Sequence, residues 1–320
     1  MRNKVVLITA ISSVSPDIAI KTARQMGMRI VGCDINERES IVDAMNVDVF
    51  YKSPRGSEET SYITFILDLI CKENIDYILP STDVEVDTLN KHREEIARTG
   101  ATLLISDEEA IKLCRNKYLT YEFLKSSGVK YTIPTAYLNE VNPKDIVYPV
   151  VCKPSNGRSS EGLYYVNTQD ELSLIPDDNN YLIQPKIEGV VITVDVIRHP
   201  YSKQTVAIPR RELLRTYNGL GLSVYLFHDE ELENLSCHIA DLLNIRGCVN
   251  FEYIEDISGR RYFMDCNPRF SGGIEFSCIA GYQCVENHFR CFTDDTIDNG
   301  TEIMPMYIAR KYEEYVTREG

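Results

Sequence analysis

The stretch CVNFEYIEDISGRRYFMDCNPRFSGG, residues 248–273, decides how the rest of the chain is read. Two β-rich runs, CVNFEYI and RYFMDCN, flank EDISGR, and a turn centred on Ser258 and Gly259 makes them a hairpin. Counting outward from that turn sets Glu252 opposite Asp265 and Asn250 opposite Asn267. Strand alternation puts Phe263, Asp265 and Asn267 on one face and Tyr262, Met264 and Cys266 on the other. One face is therefore apolar, and its opposite carries two acids and two amides. Directly opposed carboxylates repel, and a cation between them removes the repulsion. Oxygen donors with no His or Cys at matching spacing select Mg²⁺ or Mn²⁺ over zinc. The competing reading is a solvated sheet face whose acids are neutralised by Arg260 or Arg261.

Upstream, YPVVCKPSNGRSSEG (148–162) reads as a strand ending in Lys153, followed by a small, polar loop with glycines at 157 and 162. Such a loop offers backbone N–H groups to phosphate, and the lysine adds a point charge. It is not a P-loop, because G-x-x-x-x-G-K-[ST] is absent. The first hundred residues alternate β-branched runs (KVVLITA, RIVGCDIN, IDYILP, ATLLIS) with helical stretches, which predicts a parallel sheet with helices on both faces. Asp34 ends the second strand, but the first turn, AISSVSPD, lacks the glycines of a dinucleotide fingerprint. Asp34 is accordingly read as a capping or solvated strand-end acid. In LPSTDVEVD (79–87), Ser81, Asp83 and Glu85 stand at the sheet's C-terminal edge. They read either as substrate contacts that would hold an ammonium group, or as a helix N-cap with acids in its first turn. Residues 107–128 read as helical, closed by Gly128, and beyond them antiparallel strands dominate.

The chain has 320 residues, 43% of them apolar, enough for two or three modest domains. Lys and Arg number 34 against 48 Asp and Glu, a net charge of −14 that disfavours a general role on nucleic acid or anionic membrane. No apolar run is long enough to span a bilayer and no secretory signal opens the sequence, so a cytoplasmic location is the expectation. The ten cysteines are scattered without a C-x-x-C pair and read as reduced core residues.

Taken in order, these segments resemble the ATP-grasp superfamily over nearly the whole chain. The resemblance implies an α/β pre-ATP-grasp domain over residues 1–112, a first α+β lobe over 113–183, and a second lobe with a C-terminal tail over 184–320. CRNKYLTYEFLKSSGVKYTIP (114–134) looks like the family's entry to the first lobe, with Lys117 a phosphate contact. Lys153 would be the second, helped by Gly157, Ser159, Ser160 and Gly162. YLIQPKIEG (181–189) resembles the hinge that meets adenine, through Gln184, Lys186, Ile187 and Glu188. By the same carry-over, Glu252, Asp265 and Asn267 would bind Mg²⁺ at the ATP phosphates and Arg269 would meet the γ-phosphate or an acyl-phosphate. Either Arg210 or Arg211, from IPRRELLRTYNGLG (208–221), would stabilise the transferring phosphoryl group. The family usually has Glu where Asp265 stands, and acids where Pro185 and Val191 stand; Glu188 is the nearest substitute. The single-grasp layout and NPRFSGG look closest to stand-alone relatives of the carbamoyl phosphate synthase large subunit, a layout shared by amino-acid ligases. The activity this resemblance implies is that of an ATP-dependent carboxylate–amine ligase acting on small carboxylate and amine substrates. A kinase on the same scaffold and a non-catalytic nucleotide-binding module are the alternatives, and a homodimer is compatible with the relatives.

Overall fold

The computed structural model describes residues 3–158, 160–176, 179–217, 219–293, 295–301 and 303–319. The N-terminal strands β1 (Val5–Ile8), β2 (Arg29–Asp34), β3 (Val49–Lys52), β4 (Tyr77–Leu79) and β5 (Thr102–Leu103) form a parallel sheet ordered β3-β2-β1-β4-β5. Val6, Leu7 and Ile8 are all fully buried, because a parallel strand covered by helices has no solvent face. Asp34 is buried too, accepting hydrogen bonds from the N–H groups of Ser12 (2.8 Å) and Asn36 (3.0 Å), so it caps the β1 and β2 loops.

A four-stranded antiparallel sheet, β6 (Ala136–Tyr137), β7 (Val150–Pro154), β8 (Tyr164–Val166) and β9 (Tyr181–Pro185), is ordered β6-β9-β7-β8. The remaining strands are β10 (Gly189–Arg198), β11 (Thr205–Arg215), β12 (Gly221–Leu226), β13 (Gly247–Asp256), β14 (Arg261–Asn267) and β15 (Met306–Ala309). They make a six-stranded antiparallel sheet ordered β14-β13-β10-β11-β12-β15. The expected class, an α/β domain followed by two α+β lobes, is the architecture found.

The expected boundaries need adjustment. β9 runs through residue 183 to Pro185, so the first sheet ends two residues later than expected. The helical stretch 107–128 is two helices, Glu108–Arg115 and Lys117–Ser126, and Cys114 and Leu124 pack under the six-stranded sheet with Val194, Phe251 and Phe263. Asn116 breaks the run with an extended backbone (φ −118°, ψ 106°), and its side-chain oxygen accepts from the N–H groups of Tyr118 and Leu119, each at 3.1 Å. Val6 and Ile8 of the first sheet share one apolar cluster with Ile208, Val224, Phe276 and Phe289.

The hairpin contains one correction that matters for the site. Glu252 pairs with Asp265 and Asn250 with Asn267, as counted from the sequence. Nearer the tip, however, Tyr253 pairs with Phe263 and Glu255 with Arg261, so Met264 is an extra residue in a β-bulge. The tip holds one residue more than a two-residue turn, with Gly259 at φ +80°, and the bulge cancels that offset. The bulge also reverses two expected orientations: Phe263 points into the core against Phe251 and Tyr253, and Met264 lines the polar side.

Candidate active site

A cavity of about 1100 Å³ lies where the C-terminal edge of the first sheet, the four-stranded sheet and one face of the six-stranded sheet meet. Alternation along β13 and the bulge in β14 put Asn250, Glu252, Asp265 and Asn267 in its wall. Burial pushes the Glu252 carboxyl up; Arg215 opposes this, and the Asp265 and Glu212 carboxylates reinforce it. Arg215 Nη2 stands 3.6 Å from Glu252 Oε1, and Asn267 Nδ2 donates to Asn250 Oδ1 at 3.4 Å.

Two lysines face these acids. Lys117 begins its helix, where the dipole disfavours a cation, and is held by Asp265 Oδ2 at 3.0 Å and by the Gly157 carbonyl at 2.9 Å. Lys153 is lowered to about 8 by burial; Asp265 resists the shift and Lys117 adds to it. The loop after β7 is pinned by the Ser155 N–H, which donates to the Asn180 carbonyl at 2.9 Å. Gly157 and Ser160 line the cavity; Gly162, at φ +67°, does not, although its neighbours Glu161 and Leu163 do, and Ser159 lies outside the described residues. A Cβ at Gly162 would stand 2.8 Å from the Tyr181 hydroxyl, so the loop needs glycine there on two counts.

Gln184, Pro185, Lys186, Ile187, Glu188 and Val191 line the same cavity where the chain passes from β9 to β10. Gln184 is buried, donating to Thr135 Oγ1 at 2.8 Å, and Lys186 Nζ pairs with Glu188 at 2.5 Å.

The two arginines of β11 separate. Arg210 is buried in the cavity wall, bonded to Asp195 (2.5 Å), Glu212 (3.3 Å) and Ser271 (3.1 Å). Arg211 points to the other side of the sheet, paired with Glu255 at 2.7 Å and set over the Phe227 ring, so it does not reach the cavity. Arg215 was not anticipated: alternation predicts Leu214 on this face, but register irregularities between Glu212 and Arg215 bring Arg215 there.

The expectation that Ser81, Asp83 and Glu85 hold an ammonium group does not fit the geometry. Thr82 caps the helix Asp83–Lys91 and both acids sit in its first turn. Asp83 is bonded by Arg269 Nη2 at 2.8 Å and lies 3.5 Å from Arg115 Nη1; despite burial, these guanidinium groups hold it below the usual carboxylate range. Glu85 accepts from Tyr62 (3.0 Å) and Thr82 (2.8 Å), and burial raises its pKa. Asp83 and Glu85 line the cavity together with Ser81, but both carboxylates are already engaged by these neighbours. Arg269 lines it as well, tied to the first domain through Asp83.

Two family models match. One, described as ATP-grasp in the biosynthetic pathway with Ter operon, covers residues 177–313; the other, PylC-like N-terminal domain, covers residues 8–104. The chain is 22% identical to the arginine-specific carbamoyl phosphate synthase large chain of Bacillus subtilis, over 79% of this chain and 25% of that one. A segment of 93 residues is 39% identical to the D-alanine–D-alanine ligase of Helicobacter pylori, 26% of each chain. The chain therefore spans about a quarter of the length of these curated relatives. Among solved structures, the biotin carboxylase domain of the Hydrogenobacter thermophilus 2-oxoglutarate carboxylase, complexed with MgADP, ADP and bicarbonate, superposes with a TM-score of 0.80 at 20% identity, covering 96% of this chain and 74% of that one. The N5-carboxyaminoimidazole ribonucleotide synthetase of Thermotoga maritima superposes with a TM-score of 0.73 at 16% identity, covering 95% and 79%.

Proposed function

The chain belongs to the ATP-grasp superfamily, and on that premise we propose that it is an ADP-forming carboxylate–amine ligase working through an acyl-phosphate. One observation supports this most: Glu252 and Asp265 face each other across a hairpin, with Lys117, Lys153 and Arg269 around them in one cavity. In this reading, Lys117, Lys153 and the loop carrying Gly157, Ser160 and Gly162 hold the ATP phosphates. Gln184, Lys186, Ile187 and Glu188 meet the adenine, and Arg269 and Arg210 stabilise the transferring phosphoryl group.

Glu252, Asp265 and Asn267 suit Mg²⁺, or Mn²⁺, because their donors are all oxygens and a cation would relieve the raised Glu252 carboxyl. Two acids and an amide leave further coordination to phosphate and water. Bound there, the ion would neutralise charge on the phosphates. Lys117, which already compensates Asp265 at 3.0 Å, would turn from that carboxylate to a phosphate oxygen. The proposal includes small-molecule substrates, a cytoplasmic setting and, by analogy with the Hydrogenobacter domain dimer, a homodimer.

The test is an ADP-release screen over pairs of amino acids and carboxylates, with Asp265→Asn as control. Phosphate release that requires the amine identifies a ligase. A stable phosphorylated product without amine identifies a kinase. Thermal protection by Mg-ATP with no ADP from any pair identifies a nucleotide-binding module, and undiminished ADP formation by Asp265→Asn removes the metal role.

A further inference from the structure

Nearly every described arginine in this molecule is held by a partner. Among the described residues only Arg38 and Arg55 are arginines without a side-chain hydrogen bond, ion pair or ring contact, and of the two only Arg55 lines the cavity. In a chain with net charge −14, where acids outnumber bases, this exposed guanidinium is left to solvent and open to a ligand.

The backbone under Arg55 is fixed. The Ser53 N–H donates to the Asp34 carbonyl at 2.7 Å, the Glu58 N–H donates to the Arg55 carbonyl at 2.9 Å, and Thr88 Oγ1 donates to the Gly56 carbonyl at 2.7 Å. Gly56 lies so close to the helix Asp83–Lys91 that a Cβ there would stand 3.2 Å from Glu85 Cγ. The loop thus seats Gly56, the neighbour of Arg55, against that helix, whose acids are engaged elsewhere: Asp83 by Arg269 and Arg115, and Glu85 by Tyr62 and Thr82. The nearby hydroxyls of Ser57 and Ser81 also line the cavity. This wall therefore offers one free cation and neutral donors, the complement of an anion.

We propose that the first-domain wall of the cavity, centred on Arg55 with Ser57 and Ser81, binds a second anionic group on the substrate whose carboxylate is activated near Arg269. The substrate class is then a carboxylic acid bearing another carboxylate or a phosphate, and the ammonium pocket expected from Asp83 and Glu85 is replaced by an anion pocket. This rests on the ATP-dependent reading of the same cavity.

The experiment measures thermal stability and binding of the full chain with Mg²⁺ and a non-hydrolysable ATP analogue present. The probes are succinate and glutarate, 3-phosphoglycerate and phosphoserine, and the singly charged propionate and butyrate. Doubly anionic probes are expected to bind saturably and the monocarboxylates not to; the dicarboxylate and phosphate arms separate the two anion sources. Arg55→Gln should weaken the binding by about tenfold or more, as loss of a charge-assisted contact does, with Arg55→Lys retaining part of it. The nucleotide-induced shift should be unchanged in both variants. The proposal is overturned if no doubly anionic probe binds, if monocarboxylates bind equally well, or if Arg55→Gln binds like the parent. Failure of the nucleotide itself to stabilise the protein would instead strike the ligase reading.

Discussion

Replacing Asp83 by Asn gives the sharpest quantitative test, because that carboxylate ties three parts of the chain together. It is 4% exposed and joins Arg269 of the second lobe to Arg115 of the helix Glu108–Arg115. Each guanidinium attracts it by about 4 kcal/mol at an effective dielectric constant near 20, and desolvation offsets much of that gain. Removing the charge leaves Arg269 without its carboxylate partner, while Arg115 keeps its two bonds to Asp87 (2.8 and 3.0 Å), and breaking a buried pair in this way costs about 3–5 kcal/mol. Because the arginine side chains keep 11% and 19% exposure, the lower figure, about 3 kcal/mol, is expected. With a urea slope of about 3 kcal/mol/M, the midpoint should fall by about 1 M at pH 7. The sign with pH comes from the lowered Asp83 pKa. Its contribution is fully present above the unfolded carboxylate value, about 3.9, and disappears as pH falls through the lower folded value. Urea unfolding of parent and variant should therefore differ most near neutrality and converge in acid. A variant within about 0.5 kcal/mol of the parent at pH 7, or a gap that persists undiminished into acid below the folded value, would refute the buried-triad account.

Lys153, at about 8 in the nucleotide-free protein, should take up a fraction of a proton when a nucleotide triphosphate binds at mildly alkaline pH. Calorimetry in buffers of differing ionisation enthalpy reads that uptake, and Lys153→Gln should abolish it. Asp265→Asn should remove the Mg²⁺ dependence of nucleotide-induced thermal stabilisation, checked by melting with and without chelator; retained dependence would place the ion elsewhere. Gly189→Ala should cost more than about 2 kcal/mol, since its Cβ would stand 2.2 Å from the Glu255 carbonyl oxygen where β10 leaves the hinge, and a melting temperature equal to the parent's would contradict that packing.

What the sequence disclosed depended on how local the determinant is. The Glu252–Asp265 pairing was legible because a short hairpin sets its own register, although the count succeeded only because the longer tip and the Met264 bulge cancel. The bulge itself was hidden, and with it the inward turn of Phe263. Lys153 could be placed at a strand end by pattern alone. For Asp83 the sequence offered both a ligand contact and a first-turn helix acid; the second is found, and its partner Arg269, 186 residues away, lay beyond the reach of periodicity. Arg215 was invisible for a third reason: irregular register in β11 turns it toward the cavity, against strict alternation. Arg55 carried no motif, and its interest comes only from the lack of a partner.

The apolar cluster shared by Val6, Ile8, Phe276 and Phe289 has a consequence for synthesis on the ribosome. The first sheet is complete in the chain once β5 has emerged at Leu103, but the helices Ile274–Ile279 and Cys284–Arg290 that cover this cluster are made much later. At ordinary elongation rates of about 5–20 residues per second, the nascent first domain waits roughly 10–40 s with this cluster only partly covered, by Ala19, Ile20 and Ala23. That interval is when a chaperone would find a binding surface.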